Sequence, residues 1–382
     1  MSVKIEQEQS SRRAFMKTSL KASTASVTAS ALGLGFVAAS EPVMAQAIKT
    51  DFAGIKAGEQ DIPVGSFNMP AYISRPEKAS GPLPVVIVVS EIFGVHEYIA
   101  DTTRRFAKLG YLAIAPEFFT RAGDPNSFGT VAEIQSNIVA KTPDPQVLGD
   151  LKAAIAWAGK NGGDLKKVAV TGFCWGGRIT WLSATMPEVK AGVAWYGRLV
   201  GDKTANNPKQ PVEIAADLKA PVLGLYGSAD TGIPLDTVEQ MKAALSKASS
   251  NPAAKASKFE IYPEAPHAFH ADYRATYREG PAKDAWAKCL AWFKQHGVTG
   301  QQRRHGDRRH ERRYHRRRAQ CRGCQADLRQ AAARQGGSNQ LRAQRRPVLG
   351  VVAGDDVLQA QRLARPGLVE HQRGDAAPGQ DP

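Results

Sequence analysis

The fold of this chain is decided by the stretch Gly172-Phe-Cys-Trp-Gly176. It follows an apolar run at 168–171 and precedes an amphipathic segment at 175–185, which predicts a tight turn from a strand into a helix. Such a turn presents its central side chain on a strained elbow, and glycines flank it because strand and helix approach closely. The N-terminus of the following helix also favours a thiolate. Cys174 is therefore the predicted nucleophile; the alternative is a buried structural cysteine.

Around this elbow, short apolar runs alternate with longer amphipathic segments from residue 60 to 297. This alternation predicts an α/β fold with a mostly parallel central sheet and helices on both faces. Sheets of this kind bind ligands beyond the carboxyl ends of their strands. The predicted strands are 84–89, 112–115, 167–171, 191–196, 221–226 and 259–262, and the predicted helices are 99–109, 145–159, 175–185, 235–249 and 282–296.

A thiol nucleophile needs a base, and that base needs an orienting acid. When the nucleophile lies on such an elbow, the acid and then the histidine follow it along the chain, each in the loop after a later strand. Asp230 and His267 satisfy this order, with Asp236 as a fallback acid. His96 comes too early for the role, and His296 ends the last predicted helix.

Two backbone N–H groups are needed to stabilise the oxyanion that forms in acyl transfer. One is expected from Trp175, directly after the nucleophile, and the second from the loop that follows an early strand. That loop is Ser90-Glu-Ile-Phe-Gly94, so Ile92 is the expected second donor.

With these pieces in place, the chain resembles the dienelactone hydrolases, or carboxymethylenebutenolidases, of the α/β-hydrolase superfamily. The resemblance covers about residues 60–297. It implies a monomeric, cofactor-free and metal-free hydrolase that opens small-molecule esters or lactones. It also implies that Glu91 bonds the Cys174 thiol at rest, which keeps the thiol protonated until an anionic substrate displaces the carboxylate. The matching stretches are Glu91-Ile-Phe-Gly-Val95, Gly110-Tyr-Leu-Ala-Ile-Ala-Pro116, Gly172-Phe-Cys-Trp-Gly-Gly177, Asp230 and His267-Ala-Phe269.

Substrate recognition departs from the family pattern, in which an arginine soon after the catalytic histidine grips the substrate carboxylate. No arginine occupies the matching place after His267, and Arg274 follows a few residues later. A broader carboxylesterase or thioesterase on the same scaffold is therefore an alternative. The candidate substrate contacts are Tyr196, Arg198, His270 and Arg274, with Arg121 and Arg178 as further possible anion partners.

Residues 1–47 have the layout of a signal peptide, in which Arg12-Arg13 precedes a weakly apolar run at 22–39. The paired arginines resemble a twin-arginine export signal, which predicts export by that machinery and a periplasmic or secreted enzyme. Cleavage is expected near Ala45 or Ala47. A membrane anchor is the alternative, but the run falls short of the ~20 apolar residues that a spanning helix needs.

The charge of +15 is concentrated in the segment 301–382, which follows the predicted domain at 48–300. This segment has 18 arginines, no lysine and eight acidic residues, whereas the first 300 residues are nearly balanced, with 33 basic and 28 acidic residues. Its composition predicts a disordered tail, and out-of-frame translation of GC-rich DNA would explain its missing residue types. Nucleic-acid binding through the arginines, or zinc binding at Cys321 and Cys324, are alternatives.

Overall fold

A computed structural model of the chain describes residues 47–301. Within them, eight strands form one sheet in the order β1-β2-β4-β3-β5-β6-β7-β8. The strands are β1 Ile55–Val64, β2 Phe67–Pro76, β3 Leu83–Val89, β4 Leu112–Pro116, β5 Gly163–Phe173, β6 Ala191–Trp195, β7 Val222–Gly227 and β8 Lys258–Tyr262. The helices of four residues or more are α1 Glu97–Lys108, α2 Val131–Asn137, α3 Asp144–Lys160, α4 Trp175–Ser183, α5 Leu235–Lys247, α6 Pro252–Ala256 and α7 Glu279–Gln295.

The six strands from β3 to β8 pair in parallel, which confirms the predicted α/β fold. Every residue of β3, β4, β6 and β7 is buried, as expected for strands that are covered on both faces. The carboxyl ends of these strands lie along one edge of the sheet, because the strands run in the same direction. The loops that carry the predicted site residues leave from that edge.

A hairpin that the apolar pattern does not predict extends the sheet at one end. Strands β1 and β2 pair antiparallel around the two-residue turn Gly65-Ser66, and β2 pairs antiparallel with β4. Gly65 has φ of +59°, a conformation that glycine adopts without strain. Because β1 is only partly buried, its apolar signal is weak, and the hairpin is recognisable only from its pairing.

The last helix begins three residues earlier than predicted and packs on the core through one face. Ala285, Cys289, Trp292 and Phe293 of α7 are all buried. Their spacing places them on one face of a helix, so this face packs on the rest of the domain. Cys289 is fully buried, and its environment raises the pKa of its thiol, chiefly by burial.

Gln301, one residue beyond the predicted domain boundary, is bonded to the domain. The Gln301 N–H donates to the Gly110 carbonyl at 3.0 Å, and Gln301 Nε2 donates to the Pro82 carbonyl at 2.7 Å. Gln301 therefore packs on the domain. The predicted signal peptide, apart from its last residue, and the remainder of the predicted tail lie outside the described residues.

Candidate active site

Cys174 occupies the sharp turn between β5 and α4. Its φ of +56° and ψ of −113° are strained for a residue with a side chain, and its N–H donates to the Trp195 carbonyl at 3.0 Å. A Cβ on Gly172 would lie 2.2 Å from the carbonyl oxygen of Gly176, and one on Gly176 would lie 2.3 Å from that of Val89. Both flanking glycines are therefore required by close backbone contacts.

Asp230 and His267 lie together beyond the ends of β7 and β8. Nδ1 of His267 is 2.7 Å from Oδ2 of Asp230. The other carboxylate oxygen accepts the N–H groups of Gly232 at 3.0 Å and Ile233 at 3.1 Å. Both oxygens of Asp230 are thus engaged, which holds the imidazole ring in one orientation.

His267 also contacts Cys174, and the charges around the imidazole favour its protonated form. Burial by itself lowers the pKa of His267, but the charge of Cys174 and hydrogen bonds with Asp230 and Cys174 together raise this pKa to about 10. The structure therefore brings together the three residues that chain order predicts as nucleophile, base and acid. Such an arrangement can hold a thiolate beside an imidazolium.

The two predicted oxyanion donors lie in different elements. Trp175 begins α4, and the first N–H groups of a helix have no partner within that helix. Ile92 lies in the loop after β3, its side chain is buried, and its N–H donates no hydrogen bond within residues 47–301. Neither backbone N–H group therefore has a hydrogen-bond partner within residues 47–301.

Glu91 lies in the same loop, with a side chain that is only 3% exposed. Its Oε2 is 3.1 Å from Nε2 of His96, and its Oε1 has no hydrogen-bond partner within residues 47–301. Burial by itself raises the pKa of Glu91. His96 and Arg274 lower this pKa by more than burial raises it, so it lies below its ordinary value. The hydrogen bond to the Cys174 thiol that the resemblance implies is not formed, since Oε2 bonds His96 and Oε1 has no partner within residues 47–301.

Arg274 is the candidate substrate arginine that lies at this site. Its charge interacts with both Glu91 and Cys174, and its Nε donates to the Tyr273 hydroxyl at 3.1 Å. The guanidinium carbon lies 5.1 Å from the centre of the Phe93 ring. Its terminal nitrogens donate no hydrogen bond within the described part of the chain, so they are available to an anionic group.

The other three candidate contacts are placed differently. The buried Tyr196 ring packs edge-on against His267, with ring centres 5.1 Å apart. Arg198 is exposed. His270 is buried, and burial together with the charge of Arg105 holds its pKa well below the usual value. Nδ1 of His270 lies within hydrogen-bond distance of the Tyr98 hydroxyl, at 2.6 Å, which fits a packing role.

Arg121 and Arg178, the two further anion partners considered from sequence, are engaged in ion pairs. Arg121 pairs with Asp150, and Arg178 pairs with the buried Asp144, each at 2.7 Å. Both arginines are thus occupied by structural carboxylates and do not join Arg274 at the site.

Two residues of the site were not selected from the sequence. His96 does not fit the chain order of a catalytic base, yet it binds Glu91. Tyr273 binds Arg274, and both Glu91 and Cys174 contribute to raising the pKa of its hydroxyl, after burial. A sequence signal exists for each, since His96 lies in the early loop with Glu91 and Tyr273 adjoins Arg274.

Among residues 47–301, no group of three or more His, Cys, Asp or Glu side chains is arranged to hold a metal ion. Within the same residues, no helix combines the length and apolar character needed to cross a membrane.

Comparisons with known proteins agree with the fold and the site geometry. The sequence model of the "Dienelactone hydrolase family" matches residues 69–297. The chain is 54% identical over 264 residues to a protein of Escherichia coli K12 named "Putative carboxymethylenebutenolidase", covering 69% of this chain and 96% of that protein. A protein of the same name from Methylorubrum extorquens is 54% identical over 276 residues, covering 72% and 93% of the two chains.

A solved structure gives the same result. The crystal structure titled "Putative Dienelactone Hydrolase" from Klebsiella pneumoniae is 57% identical in sequence, with a TM-score of 0.61. It covers 63% of this chain, and this chain covers 99% of it. The chain therefore belongs to the dienelactone hydrolase family of α/β-hydrolases and is a hydrolase of carboxylic ester or lactone bonds in small molecules.

Proposed function

We propose that the chain cleaves its ester or lactone substrate through a thioester on Cys174, with His267 as acid and base and Asp230 as the orienting acid. The observation that carries this proposal is the continuous contact from Asp230 through His267 to Cys174, with 2.7 Å between the carboxylate and the imidazole. A nucleophile, a base and an orienting group in contact are what covalent catalysis requires.

In the first half of the reaction, the Cys174 thiolate attacks the carbonyl carbon and forms a C–S bond. The carbonyl electron pair moves to oxygen, and the N–H groups of Ile92 and Trp175 bind this oxyanion. When the intermediate collapses, the C–O bond to the ester oxygen breaks, and that oxygen takes a proton from His267. In a lactone the released hydroxyl stays attached to the acyl group.

In the second half, water attacks the thioester carbon and gives a proton to His267. The C–S bond breaks, its electron pair returns to the Cys174 sulfur, and the carboxylic acid leaves. The enzyme regains its thiolate and imidazolium. Asp230 binds Nδ1 throughout, so that Nε2 of His267 is the nitrogen that exchanges protons.

The favoured substrate is an ester or lactone that also carries a carboxylate. Support comes from Arg274, whose terminal nitrogens have no partner within residues 47–301 and whose charge interacts with Cys174. The name carboxymethylenebutenolidase, which the relatives carry, describes such a lactone. A broad carboxylesterase or thioesterase is the second candidate, because the sequence lacks the arginine expected just after His267.

We also propose a periplasmic or secreted location, reached through the twin-arginine machinery, on the basis of Arg12-Arg13 and the run that follows.

The mechanism is tested by replacing Cys174. Cys174→Ala should lose all but about a few per cent of p-nitrophenyl ester hydrolysis, because no other group forms the acyl bond. Cys174→Ser should be severely impaired, since a hydroxyl is a poorer nucleophile than a thiol. Cys289→Ala, which removes the buried cysteine of α7, is the control and should keep turnover. Mass spectrometry of an acid-quenched reaction should find the acyl group on Cys174. An active Cys174→Ala enzyme would exclude the mechanism.

A further inference from the structure

The residue that follows β4 is tied to the loop that holds Glu91 and Ile92. Glu117 Oε2 accepts the Val95 N–H at 2.7 Å. The backbone of Glu117 is fixed as well, because its N–H donates to the Pro70 carbonyl at 2.8 Å. A hydrogen bond from a backbone N–H to a carboxylate is stronger than one between neutral groups. The carboxylate therefore anchors the end of this loop to the sheet.

Gly94 shows how closely the carboxylate packs on the loop. A Cβ at this position would lie 2.7 Å from Glu117 Oε2, and the φ of Gly94 is +75°. The His96 N–H donates back to the Gly94 carbonyl at 3.1 Å, so the turn at Gly94 is tight. The absent side chain is thus what allows the carboxylate to lie against the backbone at Gly94, two residues after Ile92.

The next two residues contact the other side of the site. Phe118 and Phe119 are both buried, and their ring centres lie 6.1 Å and 4.6 Å from that of Trp175. Trp175 is the residue that follows the nucleophile. The segment 117–119 therefore supports both residues whose N–H groups bind the oxyanion under the proposed function.

We propose that Glu117 is a positioning residue for acyl transfer, which acts through the Val95 N–H to hold the Ile92 N–H at the reacting oxygen. Phe118 and Phe119 fix the second donor by packing against the Trp175 ring. The segment 117–119 thereby sets the distance between the N–H groups of Ile92 and Trp175. This inference rests on the proposed function, because it has meaning only if an oxyanion forms at Cys174.

A role in oxyanion binding can be separated from a general structural role. Ester hydrolysis passes through an oxyanion. In alkylation, the Cys174 sulfur attacks the saturated carbon of iodoacetamide and expels iodide, so no oxyanion forms. Loss of Glu117 should therefore slow hydrolysis without slowing alkylation. General damage to the site would slow both reactions.

The experiment compares three variants of Glu117 in the full chain. Glu117→Ala should lower kcat about ten- to a hundredfold, with KM within about twofold of wild type and alkylation no slower than wild type, since displaced oxyanion donors cost rates of this order. Glu117→Gln retains an acceptor for the Val95 N–H and should recover most of kcat. Glu117→Met fills a similar volume without an acceptor and should behave like Glu117→Ala, so it replaces that variant if alanine prevents folding. The matched control is Glu213→Gln, because Glu213 also accepts a backbone N–H, that of Gln210, in a loop outside the site.

The proposal is overturned if Glu117→Ala and Glu117→Met keep wild-type kcat, or if kcat and the alkylation rate fall together. It is also overturned if Glu117→Gln is as slow as Glu117→Met. Failure of the proposed function is distinguishable, because it would be seen as turnover by Cys174→Ala whatever the Glu117 variants do.

Discussion

Oδ2 of Asp230 accepts a hydrogen bond from Nδ1 of His267 at 2.7 Å, and this contact helps to hold the pKa of the imidazole far above its ordinary value. Burial opposes that shift, but the charge of Cys174 and the hydrogen bonds outweigh it, and the pKa of His267 reaches about 10. Protonation of this imidazole is therefore expected to stabilise the fold.

We expect this contact to make stability depend on pH. Because folding raises the pKa of His267, its protonation stabilises the folded state. This contribution is fully present below the unfolded pKa of 6.5 and is lost as the pH rises through the folded pKa of about 10. The difference in Tm between wild type and His267→Gln should therefore narrow as the pH increases over this range. In an enzyme that already carries Asp230→Asn, the Tm difference produced by His267→Gln should be smaller. One of the groups that raise the pKa of His267 is then absent. A difference in Tm that stays constant or widens with pH would contradict this interpretation.

Glu91→Gln should speed the alkylation of Cys174 by iodoacetamide when no substrate is bound. The charge of Arg274 interacts with both Glu91 and Cys174, and a negative charge near a thiol disfavours its thiolate. The second-order alkylation rate measures the effect. Glu97→Gln, which changes an exposed carboxylate on α1, is the control and should leave the rate unchanged. Alkylation that is equal to or slower than wild type would remove Glu91 from this role.

Arg274→Gln should distinguish a carboxylate-binding lactonase from a broad esterase. We expect KM for a lactone that carries a carboxylate to rise about tenfold or more, because a hydrogen bond to a charged group contributes about 1.5–3 kcal/mol. Hydrolysis of neutral p-nitrophenyl acetate should change less than about twofold. Arg198→Gln is the matched variant, since Arg198 is the exposed alternative. If KM for the lactone rises more in Arg198→Gln than in Arg274→Gln, the anion site lies at Arg198. If Arg274→Gln changes the hydrolysis of both substrates equally, the broad esterase is favoured.

Removal of the predicted tail should leave the enzyme intact, provided that Gln301 is kept. A chain ended after Gln302 should melt within about 2 °C of the full chain and retain turnover, since a loss near 1 kcal/mol shifts a domain of this size by roughly 2–4 °C. Ending the chain after Gly300 should lower Tm further, because the bonds from Gln301 to Gly110 and Pro82 are lost. Limited trypsin digestion should give a resistant core of about residues 48–301. Loss of folding or turnover in the chain ended after Gln302 would show that the tail belongs to the domain.

The amino-acid sequence by itself determined the α/β alternation and the order of Cys174, Asp230 and His267. These are short-range features, because a buried strand needs a continuous apolar run and the elbow needs glycines at two fixed positions. The chain order of the three residues then follows from where each strand ends. The hairpin of β1 and β2 escaped this reasoning, since a half-exposed strand has a weak pattern and is defined by its pairing with β4 through β2.

Only the tertiary structure decided which polar side chains meet in the site. It paired Glu91 with His96 rather than with Cys174, and it brought Arg274 to a loop more than 180 residues away along the chain. It also joined Glu117 to Val95 across two neighbouring parallel strands. Sequence patterns report burial and local geometry, but a long side chain can reach several partners from one backbone position. Which partner it meets depends on how separate loops converge at the carboxyl edge of the sheet, and that convergence is a property of the packed fold.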